Sequence, residues 1–290
     1  DWLLDIDVRP NRVSDCFSHL GMAQEIATIL DYKIKSSKIK IKEEKGKKVK
    51  DFISIDVKNK DDCPRYTARV MTDIKVESSP QWLKKRLELL GLQSINNIVD
   101  SLNYVMLELG QPLHAFDLEK VEGQKLIIKR AKKGEKITSL DNQSYKLDKE
   151  VLTINDTQNP LAIAGIKGGD KARINKETKN IVIESANFNP VLIRKVSKKI
   201  DLKTDASWVF EHGVDPNLTE KAINRAVELI QELSRGKVIS VIFDFYPQKR
   251  LPRVIGLKTE KVNSLLGWDI SQKEIVKILK KANFKILDTI

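Results

Sequence analysis

Apolar positions along this chain switch between two periods, and the switches divide it into elements. Ile95, Ile98, Val99, Leu102, Val105, Met106 and Leu109 recur at helical spacing. Gly110 supplies a left-handed C-cap and Pro112 forbids continuation, so a helix should end there in a polar turn running to Asp117. His114 then stands just past the helix, held by a scaffold yet reachable. Asn103 borders the buried stripe and needs hydrogen-bond partners.

The same reading gives the other elements. Leu4–Val8 alternates as a strand, and a helix capped at Ser14 or Asp15 should run to about Leu30. Phe52–Val57 and Tyr66–Val76 read as half-buried strands. Ser79-Pro80 should open a helix reaching Gly91, with Ser at the cap. Short strands are expected at 126–130, 136–138, 144–147 and 151–154, with turns at Gly134, Asp141-Asn142 and Asn155-Asp156. Ile181–Ala186 is an apolar strand, Asn189-Pro190 opens a helix, and Asp215-Pro216 opens a long one to about Ser234. Lys237–Tyr246 and Val254–Leu257 read as strands. A capping box at Ser271–Glu274 starts a helix to about Ala282, and Phe284–Leu287 is a last strand.

Composition narrows the class. With 290 residues the chain can hold one large or two ordinary cores, and 41% hydrophobic with 32% charged residues fits a soluble protein. No apolar run is long enough to span a membrane. There is no signal-like start, and Asp1–Asp7 reads as the interior of a longer chain. Two cysteines make no disulfide framework, which suggests a reducing, cytoplasmic setting. The net charge of +12 favours a polyanionic partner, against the alternative of a merely lysine-rich surface. Nine lysines and two glutamates fall between Lys33 and Lys50, a connector that is either a solvated loop, a short exposed strand or an RNA-touching arm.

Candidate chemistry is sparse. Three histidines are scattered and Cys63 has no second ligand at metal spacing, so no metal site is expected. Gly165, Gly168 and Gly169 could admit a ligand to backbone amides or could form a tight turn with a bulge. Glu184, at the end of an apolar strand, is a recessed acceptor or a strand end turned to solvent.

The run Asn103–Tyr104 through Gly110-Gln111-Pro112-Leu113-His114-Ala115-Phe116-Asp117 resembles the bacterial phenylalanyl-tRNA synthetase β-subunit family. So do Cys63-Pro64-Arg65-Tyr66, Glu184-Ser185-Ala186 with Phe188 and Pro190, Thr204–Ser207 with Phe210–Pro216, and the first thirty residues. Val209 and His212 stand where that family is expected to carry arginine, and Leu102 where it commonly has threonine.

The resemblance implies an α+β fold: residues 1–50 as part of a small domain plus the connector, 51–247 as a β-layered editing domain packed with helices, and 248–290 as the start of a small winged-helix-like domain. It implies hydrolysis of tyrosine misattached to tRNA(Phe). Asn103, His114 and Glu184 would form the catalytic and recognition set, and Gly165, Gly168, Gly169, Thr204 and Ala206 would line the substrate pocket. Glu184 would accept the para-hydroxyl, Thr204 could add a hydroxyl, and Gly165, Gly168 and Ala206 would leave room for a ring. No covalent nucleophile and no cofactor are expected in this segment. ATP and magnesium would serve only the whole enzyme, with an α subunit and tRNA(Phe) as partners. The other reading is a non-catalytic RNA-binding or subunit-docking module.

Overall fold

The computed structural model describes residues 3–35 and 38–288. Asp1 and Trp2, part of the run read as interior sequence, lie outside the described residues, as do Ser36 and Ser37 of the connector and the last two residues. In chain order the first elements are helices α1 (Val13–Cys16) and α2 (His19–Leu30), then strands β1 (Glu43–Lys48), β2 (Ser54–Val57) and β3 (Arg65–Thr72). Helices α3 (Gln81–Leu89) and α4 (Asn97–Leu109) follow. Next come β4 (Leu113–Asp117), β5 (Lys125–Arg130), β6 (Lys136–Thr138), β7 (Ser144–Lys146), β8 (Leu152–Asn155), β9 (Pro160–Ile163), β10 (Lys167–Gly168) and β11 (Ile181–Asn187). The chain continues through α5 (Pro190–Lys199), α6 (Asp205–Glu211), α7 (Leu218–Ser234), β12 (Lys237–Ser240), β13 (Phe243–Phe245), α8 (Thr259–Leu266) and α9 (Gln272–Lys281). The α+β class expected from the sequence is the one observed.

Two main sheets face each other. The first runs β1-β12-β3-β11-β4, with β13 also paired to β3; the second runs β10-β9-β8-β5-β2, and β6-β7 form a separate hairpin. Pairing is antiparallel except for β1 with β12 and β2 with β5. Period-2 alternation divides the first sheet's two faces. Tyr66, Ala68, Val70, Phe116, Val182 and Ala186 share one core with Leu126, Ile128, Ile154 and Leu161 of the second sheet and with Ile193 and Phe210 of α5 and α6. The alternate residues Met71, Ala115, Ile181 and Ile183 meet α4 and α7 through Leu102, Val105, Leu109, Ile223, Val227 and Ile230. β11 is therefore buried on both faces along its whole length. Each fully buried side chain of this size contributes about 1.5–3 kcal/mol.

α4 is the helix that the apolar spacing predicts. Asn96 caps it by accepting from the amides of Ile98 and Val99, and Gly110 ends it with φ 77°. The expected polar turn behind it is instead strand β4, because residues 113–117 find an open edge on β11. Asn189 caps α5 as expected.

Other expectations are corrected. Leu4–Val8 forms no strand; alternation alone makes none without a neighbour to pair with. The first helix breaks at Phe17, whose ring packs on Trp208 at 4.1 Å, and restarts with Ser18 as the cap. Ser79 does not cap α3; its hydroxyl donates to buried Asp100 at 2.6 Å. Of the readings left open for the lysine-rich connector, the exposed strand is the one found, as β1, and Val49 just after that strand is buried in the inter-sheet core. The strand expected over 237–246 breaks at Val241, held at φ 68°, so β12 and β13 pair with different parts of β3. Residues 254–257 and 284–287 form no strands, while α8 appears where no helix was expected. Among the described residues, no helix is long and apolar enough to cross a membrane.

Candidate active site

The antiparallel register of β11 decides the site. Glu184 lies directly opposite His114 on β4 and Ala68 on β3. Directly opposed residues point their side chains to the same face, so Glu184 and His114 are neighbours on the inter-sheet side. Tyr66 pairs with Ala186, one diagonal step away, and its hydroxyl donates to Glu184 Oε2 at 2.8 Å. Tyr66 is fully buried and Glu184 is 5% exposed. Arg65, beside Tyr66, anchors the start of β3 through two bonds to Asp244, at 2.9 and 2.8 Å, and one to the Pro216 carbonyl at 3.0 Å.

The second sheet closes the other side. Its edge strand β10 places Gly168 against the imidazole: a Cβ there would lie 2.7 Å from His114 Cε1 and 3.1 Å from Nε2. The ring stands edge-on to Phe116, 4.6 Å between centroids. The two edge strands β4 and β10 thus meet at His114, and its ring nitrogens have no hydrogen-bond partner among the described residues. Glu184 accepts one hydrogen bond among the described residues, from Tyr66.

Burial sets the charge states. It pushes the Glu184 carboxyl from 4.5 up to about 7, against a downward pull from the Tyr66 hydroxyl. It drives His114 from 6.5 down to about 4, although part of that residue remains exposed at the sheet edge. Near neutral pH the site therefore offers an uncharged imidazole beside a carboxyl group poised between its two forms. Burial and the nearby carboxylate raise the Tyr66 phenol and the Cys63 thiol well above their ordinary values, so neither is a ready nucleophile.

The remaining expected residues are distributed around this pair. Gly165 has φ 68°, and a Cβ on it would meet Phe188, Ile193 and Phe210 at 2.9–3.1 Å, so its smallness serves the close approach of those side chains. Gly169 donates its amide to the Leu161 carbonyl at 2.7 Å and is not free to face a ligand. Thr204 caps α6, accepting from the Ser207 amide and donating to the Ile166 carbonyl at 2.8 Å, so its hydroxyl is also engaged. That bond ties the start of α6, with partly exposed Ala206, to a residue two positions from Gly168. The span is about 7 Å of extended chain. Asn103 is different. It lies half-buried on α4, whose apolar stripe packs on the opposite face of the sheet.

Where arginines were expected, Val209 is buried in the inter-sheet core and His212 stacks on Trp208 at 4.4 Å, with Nδ1 donating to the Trp208 carbonyl. Leu102 packs in the core under α4. Among the described residues, no cluster of three His, Cys, Asp or Glu side chains could hold a metal ion. Sequence reasoning did not single out Tyr66. The only hint was a phenol in a stretch whose pattern reads as a half-buried strand, a group that needs a partner.

Residues 62–235 match the B3/4 domain family. The chain is 43% identical over 279 residues to the phenylalanine–tRNA ligase β subunit of Clostridium acetobutylicum, covering 96% of this chain and 35% of that one. It is 40% identical over 286 residues to the same subunit of Carboxydothermus hydrogenoformans, covering 99% and 35%. The chain thus spans about a third of the length of these curated relatives. A solved N-terminal fragment of the phenylalanyl-tRNA synthetase β subunit from Pyrococcus horikoshii aligns at 17% identity with a TM-score of 0.44, over 94% of this chain and 74% of that one.

Proposed function

Because the chain belongs to the B3/4 domain family, we propose that it is the editing segment of a phenylalanine–tRNA ligase β subunit. Its reaction is removal of tyrosine wrongly esterified to tRNA(Phe). The observation that carries this reading is Glu184: a buried carboxyl group holding one hydrogen bond, opposite an uncharged His114 whose ring lies against Gly168.

Tyrosine and phenylalanine differ by one hydroxyl. A site built to bond that hydroxyl rejects the analogue lacking it by about 10⁴-fold, whereas an apolar pocket rejects an added hydroxyl only about 10²-fold. Glu184 is the acceptor for the phenol. Water attacks the ester carbonyl, the bond to the terminal ribose oxygen breaks, and that oxygen leaves with a proton, giving tyrosine and uncharged tRNA. An aminoacyl ester is already activated, so a positioned water with charge stabilisation suffices. His114, with its pKa near 4, is a weak base, and its role is to orient the water or the amino acid by hydrogen bonding. Partners are tRNA(Phe) and an α subunit, in the cytoplasm, with ATP and magnesium serving the synthetic reaction elsewhere in the assembly.

Adding Tyr-tRNA(Phe) to the purified protein tests this. Release of tyrosine that Glu184→Ala slows much more than it slows release of phenylalanine supports the reading; no release by the wild type refutes it. The engaged Thr204 hydroxyl and Gly169 amide favour the second reading, a docking or RNA-binding module without hydrolysis, and that refuting result is the one it expects.

A further inference from the structure

Glu184 has two carboxylate oxygens, and the substrate reading needs only one. Tyr66 occupies the other. Its hydroxyl lies 2.8 Å from Oε2, its ring is fully buried between the sheets, and its backbone is locked opposite Ala186 in the β3–β11 ladder. It therefore cannot swing away without opening the core. Titratable groups on this side among the described residues include His114, directly opposite, and the Cys63 thiol, which points to the Arg65 carbonyl at 3.5 Å, with Asp62 beyond Cys63 paired to Arg130 at 2.7 Å. None of these hydrogen-bonds Glu184.

We propose that Tyr66 is the positioning residue of this site: its hydroxyl holds Oε2 of Glu184 and leaves Oε1 as the acceptor for the phenolic hydroxyl of the substrate. This rests on the reading of Glu184 given above. A carboxylate on a flexible side chain pays entropy to adopt one rotamer when a ligand arrives; the bond from Tyr66 meets that requirement beforehand. It also favours the ionised form, since the hydroxyl pulls the carboxyl group's pKa down while burial pushes it up. Tyr66→Phe keeps the ring and removes only the donor. It should raise the pH at which Glu184 ionises, so less carboxylate is present at neutral pH, and free the side chain to rotate. A hydroxyl serving only to fill hydrogen bonds in the core would leave the discrimination between substrates untouched.

The test compares wild type, Tyr66→Phe and Glu184→Gln in the full-length protein in its natural assembly. Single-turnover hydrolysis of Tyr-tRNA(Phe) and Phe-tRNA(Phe) is followed across neutral pH, and the ionisation of Glu184 is followed by carbon-13 NMR. The expected result for Tyr66→Phe is a loss of about tenfold or more in the single-turnover rate for the tyrosyl ester, the size of one hydrogen bond to a charged group. The phenylalanyl ester should be cleaved at an unchanged rate, and the Glu184 midpoint should move up. If Tyr66→Phe keeps both the substrate ratio and the midpoint while Glu184→Gln loses the ratio, the positioning role is overturned and the reading of Glu184 stands. If Glu184→Gln also keeps the ratio, both fall. Should Tyr66→Phe fail to fold, a fluorinated tyrosine placed at position 66 is a stronger donor and should move the midpoint down; an unmoved midpoint overturns the proposal.

Discussion

Replacing Glu184 by Gln should stabilise the protein in alkali and not in mild acid. The folded carboxyl group has a pKa of about 7 against an ordinary 4.5, and each pKa unit is about 1.36 kcal/mol, so ionising it inside the fold costs about 3 kcal/mol. The sign follows from linkage. A folded pKa above the unfolded one means that the folded state holds the proton more tightly. The stability this gives is fully present below about pH 4.5 and is lost as pH rises through about 7. Gln does not titrate and can still accept from Tyr66 through its carbonyl oxygen, though its amide adds a donor whose desolvation costs about 1–3 kcal/mol at every pH. The difference between the two proteins therefore carries a constant offset plus a pH-dependent part. Between about pH 5 and about pH 8.5 that part should favour the Gln variant by about 2.5 kcal/mol. His114 titrates the other way. Its folded pKa of about 4 lies below 6.5, so its contribution is present above 6.5 and lost as pH falls through 4; being common to both proteins, it cancels in the difference. Urea unfolding at a series of pH values, with the m-value checked for constancy, measures the quantity directly. Parallel stability curves would show that Glu184 does not sit in a desolvated site, and the account of its acceptor role would go with them.

Three further outcomes are expected. Gly168→Ala puts a Cβ within 2.7 Å of the His114 ring; it should cost about 1–3 kcal/mol of stability by overpacking and lower Tyr-tRNA hydrolysis at least tenfold, measured by denaturation and by single-turnover release. Ala206→Trp, on the partly exposed first turn of α6, should abolish hydrolysis while the midpoint of thermal unfolding stays close to wild type; normal clearance of Tyr-tRNA would remove Ala206 from the site. tRNA binding should weaken steeply as salt rises, given the net charge of +12, and a salt-independent affinity by filter binding would contradict the counterion-release argument. Reversing the charge of several lysines between Lys33 and Lys50 tests how much of that binding the segment leading into β1 carries.

Local sequence determined the elements that carry their own instructions. α4 was legible because its apolar spacing, its Gly110 stop and its Pro112 are all local, and α5 because Asn189 and Pro190 set its start. β11 was legible as a continuous apolar run, and Glu184 stood out in it as a charge where burial is costly. What the sequence could not decide were matters of pairing. β4 looked like a polar turn until the edge of β11 gave residues 113–117 a partner, and the lysine-rich segment could be read as a solvated loop, a short exposed strand or an RNA-touching arm until β12 paired with β1. Leu4–Val8 shows the converse, an alternating pattern with no partner and no strand. The site follows the same division. Which residues were chemically unusual could be read from the chain; that Glu184 faces His114 and Tyr66, and that the apolar stripe of α4 meets the other face, depends on a register in which a shift of one residue turns every side chain to the other face. Helix signals are written within a few residues of where they act, whereas a strand's neighbour and its inward face are chosen by segments far along the chain, as when Glu43 pairs with Val238 and Tyr66 with Ala186, and only the folded chain brings those together.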